Sequence, residues 1–198
     1  MKNNNEGMKN KSDHRSAVVW LTGLTGAGKS TIAYRLRDEL FKHDIKTYVL
    51  DGDHLRSGLS SDLGYGKADR VEHLRRAKEV ALLFQDAGFV VICAFITPFL
   101  ETRKKIRASF KPGEFIEVFV DCTLEECERR DPKGLYAKFR HGEIKDFTGL
   151  TSPYERPIDS EIHLRTDQMT IDACNDAILK FLINADIIQQ ASFIASEE

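Results

Sequence analysis

The chain has 198 residues, 41% of them hydrophobic and 30% charged, with a formal net charge of -2; that is the mix of one globular domain large enough to bury a core. The balance leaves no electrostatic footprint for a nucleic-acid partner or an acidic membrane surface. No apolar run reaches the ~18 residues that a membrane-spanning helix needs.

Residues 1–16 are rich in Asn, Lys, Ser and Asp and lack an apolar h-region, so they read as a disordered tail rather than a signal peptide. Residues 17–184 read as one α/β domain, and residues 185–198 as a C-terminal tail. Short apolar runs at Ala17–Leu21, Thr47–Leu50, Phe89–Ile96 and Phe115–Val120 are nearly continuous rather than alternating. Strands buried on both faces of a parallel sheet have this pattern. Amphipathic segments over 29–43, 67–87 and 99–109 lie between them, which predicts a mostly parallel central sheet with helices on both faces. On the second helix, Val71, Leu74, Ala81 and Phe84 are expected to supply much of the buried face. Residues 131–160 carry Pro132, Pro153 and Pro157 together with Gly134, Gly142 and Gly149. They predict a long, mobile connection, and such loops in compact domains are usually functional. The four cysteines, Cys93, Cys122, Cys127 and Cys174, form no C-x-x-C pair and read as free thiols in a reducing, cytoplasmic compartment.

Gly23-Leu24-Thr25-Gly26-Ala27-Gly28-Lys29-Ser30 matches G-x-x-x-x-G-K-[ST] at every fixed position, with a strand before it and a helix after it. Such a loop turns backbone N–H groups around phosphate oxygens at a helix N-terminus. Lys29 then reaches the β- and γ-phosphates, and the Ser30 hydroxyl serves Mg²⁺. By itself the loop establishes nucleotide binding without separating kinases from GTPases or motor ATPases. Asp51-Gly52-Asp53 follows the second strand at once, where ligands of open α/β sheets bind. Asp53 is the preferred base for an incoming hydroxyl, and Asp51 the metal-side partner. Further on, Arg56 and Arg70 are candidates to clamp a phosphate or sulfate by forked hydrogen bonds. His73 shares a helix side with Arg70, whereas Arg75 and Arg76 read as a solvated face.

Over about Val18 to Pro157 the chain resembles the adenylylsulfate kinases. The resemblance rests on Trp20 to Thr31, Leu50-Asp51-Gly52-Asp53, Asp62-Leu63-Gly64-Tyr65 and Ala68-Asp69-Arg70-Val71-Glu72. It continues through Phe95-Ile96-Thr97-Pro98, Glu117 to Asp121, Asp131-Pro132-Lys133-Gly134-Leu135-Tyr136 and Phe147-Thr148-Gly149. It implies a P-loop kinase fold with a mobile lid, usually dimeric, that uses MgATP to phosphorylate the 3′-hydroxyl of adenylylsulfate in sulfate activation. ATP would be held by Gly23, Leu24, Thr25, Gly26, Ala27, Gly28, Lys29, Ser30 and Thr31, with Mg²⁺ near Ser30 and Asp51. The acceptor would meet Arg56, Tyr65, Arg70, His73, Ile96 and Phe147, while Lys133 would belong to a lid over 131–149.

Several positions depart from that family's pattern. His54 stands for Asn, Ser57 for His, Tyr65 for Phe and His73 for an Asn that helps to read the acceptor. Thr97 stands for a Ser that carries phosphate in some members, so it is a catalytic candidate by position, although the mechanism needs no phosphoenzyme. Two other readings follow from these departures and the loop: a kinase of the same fold with a changed nucleotide-like acceptor, and a non-catalytic nucleotide-binding regulator.

Overall fold

The computed structural model describes residues 14–190. Five strands, β1 (Ala17–Thr22), β2 (Thr47–Asp51), β3 (Val90–Ala94), β4 (Phe115–Asp121) and β5 (Ile162–Arg165), form one sheet in the order β2-β3-β1-β4-β5, with every pair parallel. Among the described residues seven helices accompany it: α1 (Lys29–Lys42), α2 (Gly52–Ser57), α3 (Lys67–Asp86), α4 (Leu100–Arg107), α5 (Leu124–Arg130), α6 (Leu135–Arg140) and α7 (Ile171–Asn184).

The continuous apolar runs have the expected cause. β1 is central and all six of its residues are buried. Its side chains alternate between two cores, as strand geometry requires. Ala17, Val19 and Leu21 join β3, β4, α1 and α7 in one core. Val18 and Trp20 join Leu74, Ala77 and Ala81 of α3 and Ile106 of α4 in the other. The four cysteines are buried free thiols. Among the described residues no helix is long and apolar enough to cross a membrane.

Four expectations change. The third apolar run stops being a strand at Ala94, because the chain bends away and Thr97 takes φ 44°. On α3 the inward positions are His73, Leu74, Ala77, Ala81 and Gln85, while Val71 is 40% exposed. The stretch 131–160 is not loop throughout: Asp131 accepts backbone hydrogen bonds from Tyr136 and Ala137 at 3.1 and 3.0 Å and so starts α6. Finally, residues 14–16 and 185–190, assigned to tails, do pack. His14 bridges to Ile188, Arg15 N donates to Ile187 O at 2.8 Å, and Ile187 and Ile188 are buried in the core. The rest of both expected tails, 1–13 and 191–198, lies outside the described residues.

All five strands are parallel, so their carboxyl ends open on the same side of the sheet. The segments that follow β1, β2 and β3 therefore meet there, and α6 with its flanking loops arches against them.

Candidate active site

A cavity of about 1620 Å³ opens along that edge. One part of its wall is the segment Thr25–Ile32. Gly23 has no room for a side chain, because a Cβ would lie 2.3 Å from the Val120 carbonyl oxygen; a larger residue would push the loop off the sheet. At Gly26, with φ 79°, a Cβ would lie 2.8 Å from the Cys127 carbonyl oxygen. The loop is braced from outside by Tyr136 Oη, which donates to Thr25 O at 2.9 Å, and by Thr166 Oγ1, which donates to Ala27 O at 2.8 Å. Gly23 and Leu24 do not line the cavity; their carbonyls accept from Lys29 Nζ at 3.0 and 2.7 Å. Burial is the main influence on this ammonium and lowers its pKa to about 8. Lys133 pushes in the same direction, while Cys127, Asp51 and Asp53 pull the other way.

Asp51 divides its two oxygens. Oδ1 accepts from Asp53 N at 2.9 Å and caps α2, and Oδ2 accepts from Ser30 Oγ at 2.6 Å. A serine hydroxyl and a carboxylate in contact are hard oxygen donors that suit Mg²⁺, which keeps several waters and takes few protein ligands. Among the described residues no group of three or more His, Cys, Asp or Glu is placed to hold a metal by itself, so the pair fits an ion that arrives with phosphates. Asp53 is exposed to the cavity and forms an ion pair with Lys133 from the segment before α6. Asp53 acts electrostatically on both Lys29 and His73, which places it between the two halves of the site.

In the other half, Arg56 lies 4.5 Å over the Tyr65 ring and donates to Gly64 O at 2.9 Å. Arg70 is a hub. It donates to Tyr65 O at 2.6 Å, to Thr148 Oγ1, and to Asp146 O at 3.0 Å. It thereby ties α3 to the middle of the 131–160 excursion. Burial lowers its pKa, Asp146 opposes that, and Arg56 adds to it. His73 is 5% exposed, sets its ring edge-on to Phe95 at 5.7 Å, and leaves Nδ1 without a hydrogen bond. Burial first, then the nearby Arg56, pushes this imidazole down to about 4. Phe147 is buried against Tyr136 and Phe139, with ring centroids 4.7 and 5.6 Å away. Tyr65 is 66% exposed. Ile96 lines the cavity and its carbonyl accepts from Thr22 Oγ1 at 2.6 Å. Thr97 Oγ1 accepts from Trp20 Nε1 at 2.9 Å.

The family model for adenylylsulphate kinase matches residues 15–165. The chain belongs to the adenylylsulfate kinase family. The adenylyl-sulfate kinase of Geotalea daltonii is 51% identical over 181 residues, 89% of each chain. The probable adenylyl-sulfate kinase of Bacillus subtilis is 50% identical over 175 residues, 88% of each. Among solved structures, the Mycobacterium tuberculosis APS kinase in complex with AMPPNP and APS is 46% identical; it superposes with a TM-score of 0.80 over 85% of this chain and 98% of that one.

Within this member of the adenylylsulfate kinase family, the cavity gathers the predicted loop residues Thr25 to Thr31, Asp51, Asp53, Arg56, Tyr65, Arg70, His73, Ile96, Thr97, Lys133 and Phe147. Of the departures from the family pattern, Ser57 also lines it, whereas His54 is exposed on α2 outside it. Sequence reasoning missed the wall made by Thr166, Met169, Thr170, Ile171 and Cys174, which follows β5 and opens α7. β5 is a four-residue edge strand with alternating burial, too short for its periodicity to announce what comes after it. Thr148 follows Phe147 in the chain, but its part in the site depends on Arg70, 78 residues away, and leaves no local mark.

Proposed function

We propose that this chain transfers the γ-phosphoryl group of MgATP to the 3′-hydroxyl of adenylylsulfate, giving ADP and 3′-phosphoadenylylsulfate. The observation that carries the reading is a single cavity with a phosphate loop on one side, two arginines and a neutral imidazole on the other, and a carboxylate between them.

The hydroxyl oxygen attacks the γ-phosphorus, the bond to the β–γ bridging oxygen breaks, and ADP leaves. Asp53 accepts the hydroxyl proton or orients it for attack. The loop amides and Lys29 draw off charge from the transferred group, for which phosphate oxygens compete with the carbonyls of Gly23 and Leu24. Ser30 and Asp51 would hold Mg²⁺, which would neutralise phosphate charge when bound. Arg56 and Arg70 fix the phosphosulfate end, since a guanidinium fork matches such oxyanions. Tyr65 and Phe147 flank the acceptor base, and Ile96 and His73 complete its pocket. The segment that carries Lys133 closes over both nucleotides and excludes water, which keeps ATP from being hydrolysed without an acceptor. Thr97 serves as pocket wall, because its hydroxyl is occupied by the Trp20 indole and only 1% of the residue is exposed.

The working unit in this reading is a cytoplasmic homodimer, which sedimentation of the purified chain tests. The assignment itself is tested with radiolabelled ATP and a panel of nucleotide acceptors. Preferred turnover of adenylylsulfate supports it, and preference for another sulfated or phosphoramidated nucleotide replaces it.

A further inference from the structure

Arg103 of α4 is 3% exposed, and its guanidinium is shared among parts of the chain far apart in sequence. Nε lies 3.1 Å from Glu117 Oε1 on β4, an ion pair set off the N–H direction, since that oxygen accepts no hydrogen bond. Nη1 donates to the carbonyl of Thr97 and Nη2 to the carbonyl of Glu155. Around this contact the same two segments meet twice more. Glu155 N donates to Pro98 O at 2.8 Å, and Glu155 Oε2 accepts from Leu100 N at 2.5 Å.

Thr97 is a β-branched residue at φ 44°. That conformation persists only where its surroundings over-determine it. Trp20 holds its hydroxyl and Arg103 its carbonyl. A buried ion pair is a poor source of stability compared with apolar packing, so stability alone does not account for a guanidinium here. Its Nη donors go to two backbone carbonyls, Thr97 in the cavity wall and Glu155 late in the 131–160 excursion.

We propose that Arg103 is a positioning residue for the acceptor, which locks the Ile96–Pro98 wall of the cavity to the returning segment at Tyr154–Glu155 so that both keep one geometry. The inference rests on the adenylylsulfate kinase reading for its kinetic consequence, but the clamp itself does not.

The test compares Arg103→Met with the double variant Arg103→Met/Glu117→Leu, by thermal unfolding, by the separate KM values for ATP and adenylylsulfate, and by hydrogen exchange at the Leu100 and Glu155 amides. The single variant leaves the buried Glu117 with Arg107 alone, 3.2 Å from Oε2, and no cation beside Oε1, so it unfolds at lower temperature; the double variant removes that charge, leaves Arg107 paired with Glu161, and regains most of the loss. The double variant is expected to keep its KM for ATP within about twofold, to raise KM for adenylylsulfate about tenfold, and to exchange faster at Leu100 and Glu155, because a misplaced wall costs binding geometry rather than the fold. A stable double variant with wild-type KM for adenylylsulfate, or equal rises in both KM values, would overturn the proposal. The exchange measurement needs no acceptor. If the wild type fails to use adenylylsulfate, faster exchange at these two amides still supports the clamp, and unchanged exchange sinks it.

Discussion

Ser30 Oγ donates to Asp51 Oδ2 across 2.6 Å, joining the first turn of α1 to the carboxyl end of β2. Two strands apart in the sheet, these residues come together only because the strand order places β3 between β1 and β2 and leaves both carboxyl ends at one edge. Asp51→Asn removes the charge while keeping the shape. It is expected to lower kcat/KM for MgATP by about 10²–10³-fold and to raise the Mg²⁺ concentration needed for half-maximal rate. Initial rates over a Mg²⁺ titration check this.

Lys29 gives a pH signature. Its folded pKa of about 8 lies below the ordinary 10.5, so the ammonium is lost as pH rises through 8. Affinity for a non-hydrolysable ATP analogue is expected to fall between pH 8 and 10. The stability effect has the opposite sense: between these two values the unfolded chain binds the extra proton, so this group's penalty on folding shrinks as pH rises. Equilibrium titrations at pH 7, 8, 9 and 10 read the affinity directly.

His73, pushed down to about 4 from 6.5, is neutral at physiological pH. It therefore offers the acceptor an uncharged hydrogen-bonding group. His73→Asn is expected to keep adenylylsulfate turnover within about tenfold of wild type, since an uncharged hydrogen-bonding group remains. Below pH 6.5 the unfolded chain takes up a proton that the folded chain refuses until pH 4, so stability falls through that window, by at most about 3 kcal/mol from this group. Urea midpoints at pH 7 and 5 should differ less for His73→Asn than for the wild type.

Lys133 and Asp53 are both more than a third exposed, so their ion pair contributes at most about 1 kcal/mol to stability. Asp53→Asn is expected to lower kcat by about 10²–10⁴-fold with little change in the thermal midpoint. Lys133→Ala is expected to spare the fold as well while raising acceptor-independent ATP hydrolysis, measured as phosphate release without adenylylsulfate.

Arg70 presents its fork to three oxygens. Arg70→Lys keeps the charge but not the planar fork, so KM for adenylylsulfate is expected to rise about tenfold or more with KM for ATP held. Steady-state kinetics with each substrate varied in turn separates the two.

The sequence made the phosphate loop and the buried strands legible because each leaves a local mark: fixed glycines around Lys29, and unbroken apolar runs where both faces of the sheet are covered. Asp51 and Asp53 could be placed from the end of a strand alone. The connections carried no such mark. α6 starts on the carboxylate of Asp131, which looks like a loop residue beside Pro132 and Gly134, and Val71 was set on the wrong side of α3 because His73 and Gln85 take inward positions normally apolar. Residues 14–16 and 187–188 show the same limit, since what orders them is a pairing across more than 170 positions. Arg103 and Glu117 read as ordinary charges on a helix and a strand until their burial against one another is seen.

The most direct test of phosphoryl transfer to adenylylsulfate is ADP release by the purified chain with MgATP, with and without adenylylsulfate, and with the product identified by mass. The account predicts adenylylsulfate-dependent ADP together with 3′-phosphoadenylylsulfate, and little ADP when the acceptor is left out. ADP formed at the same rate without adenylylsulfate, or only with a different acceptor, would contradict it.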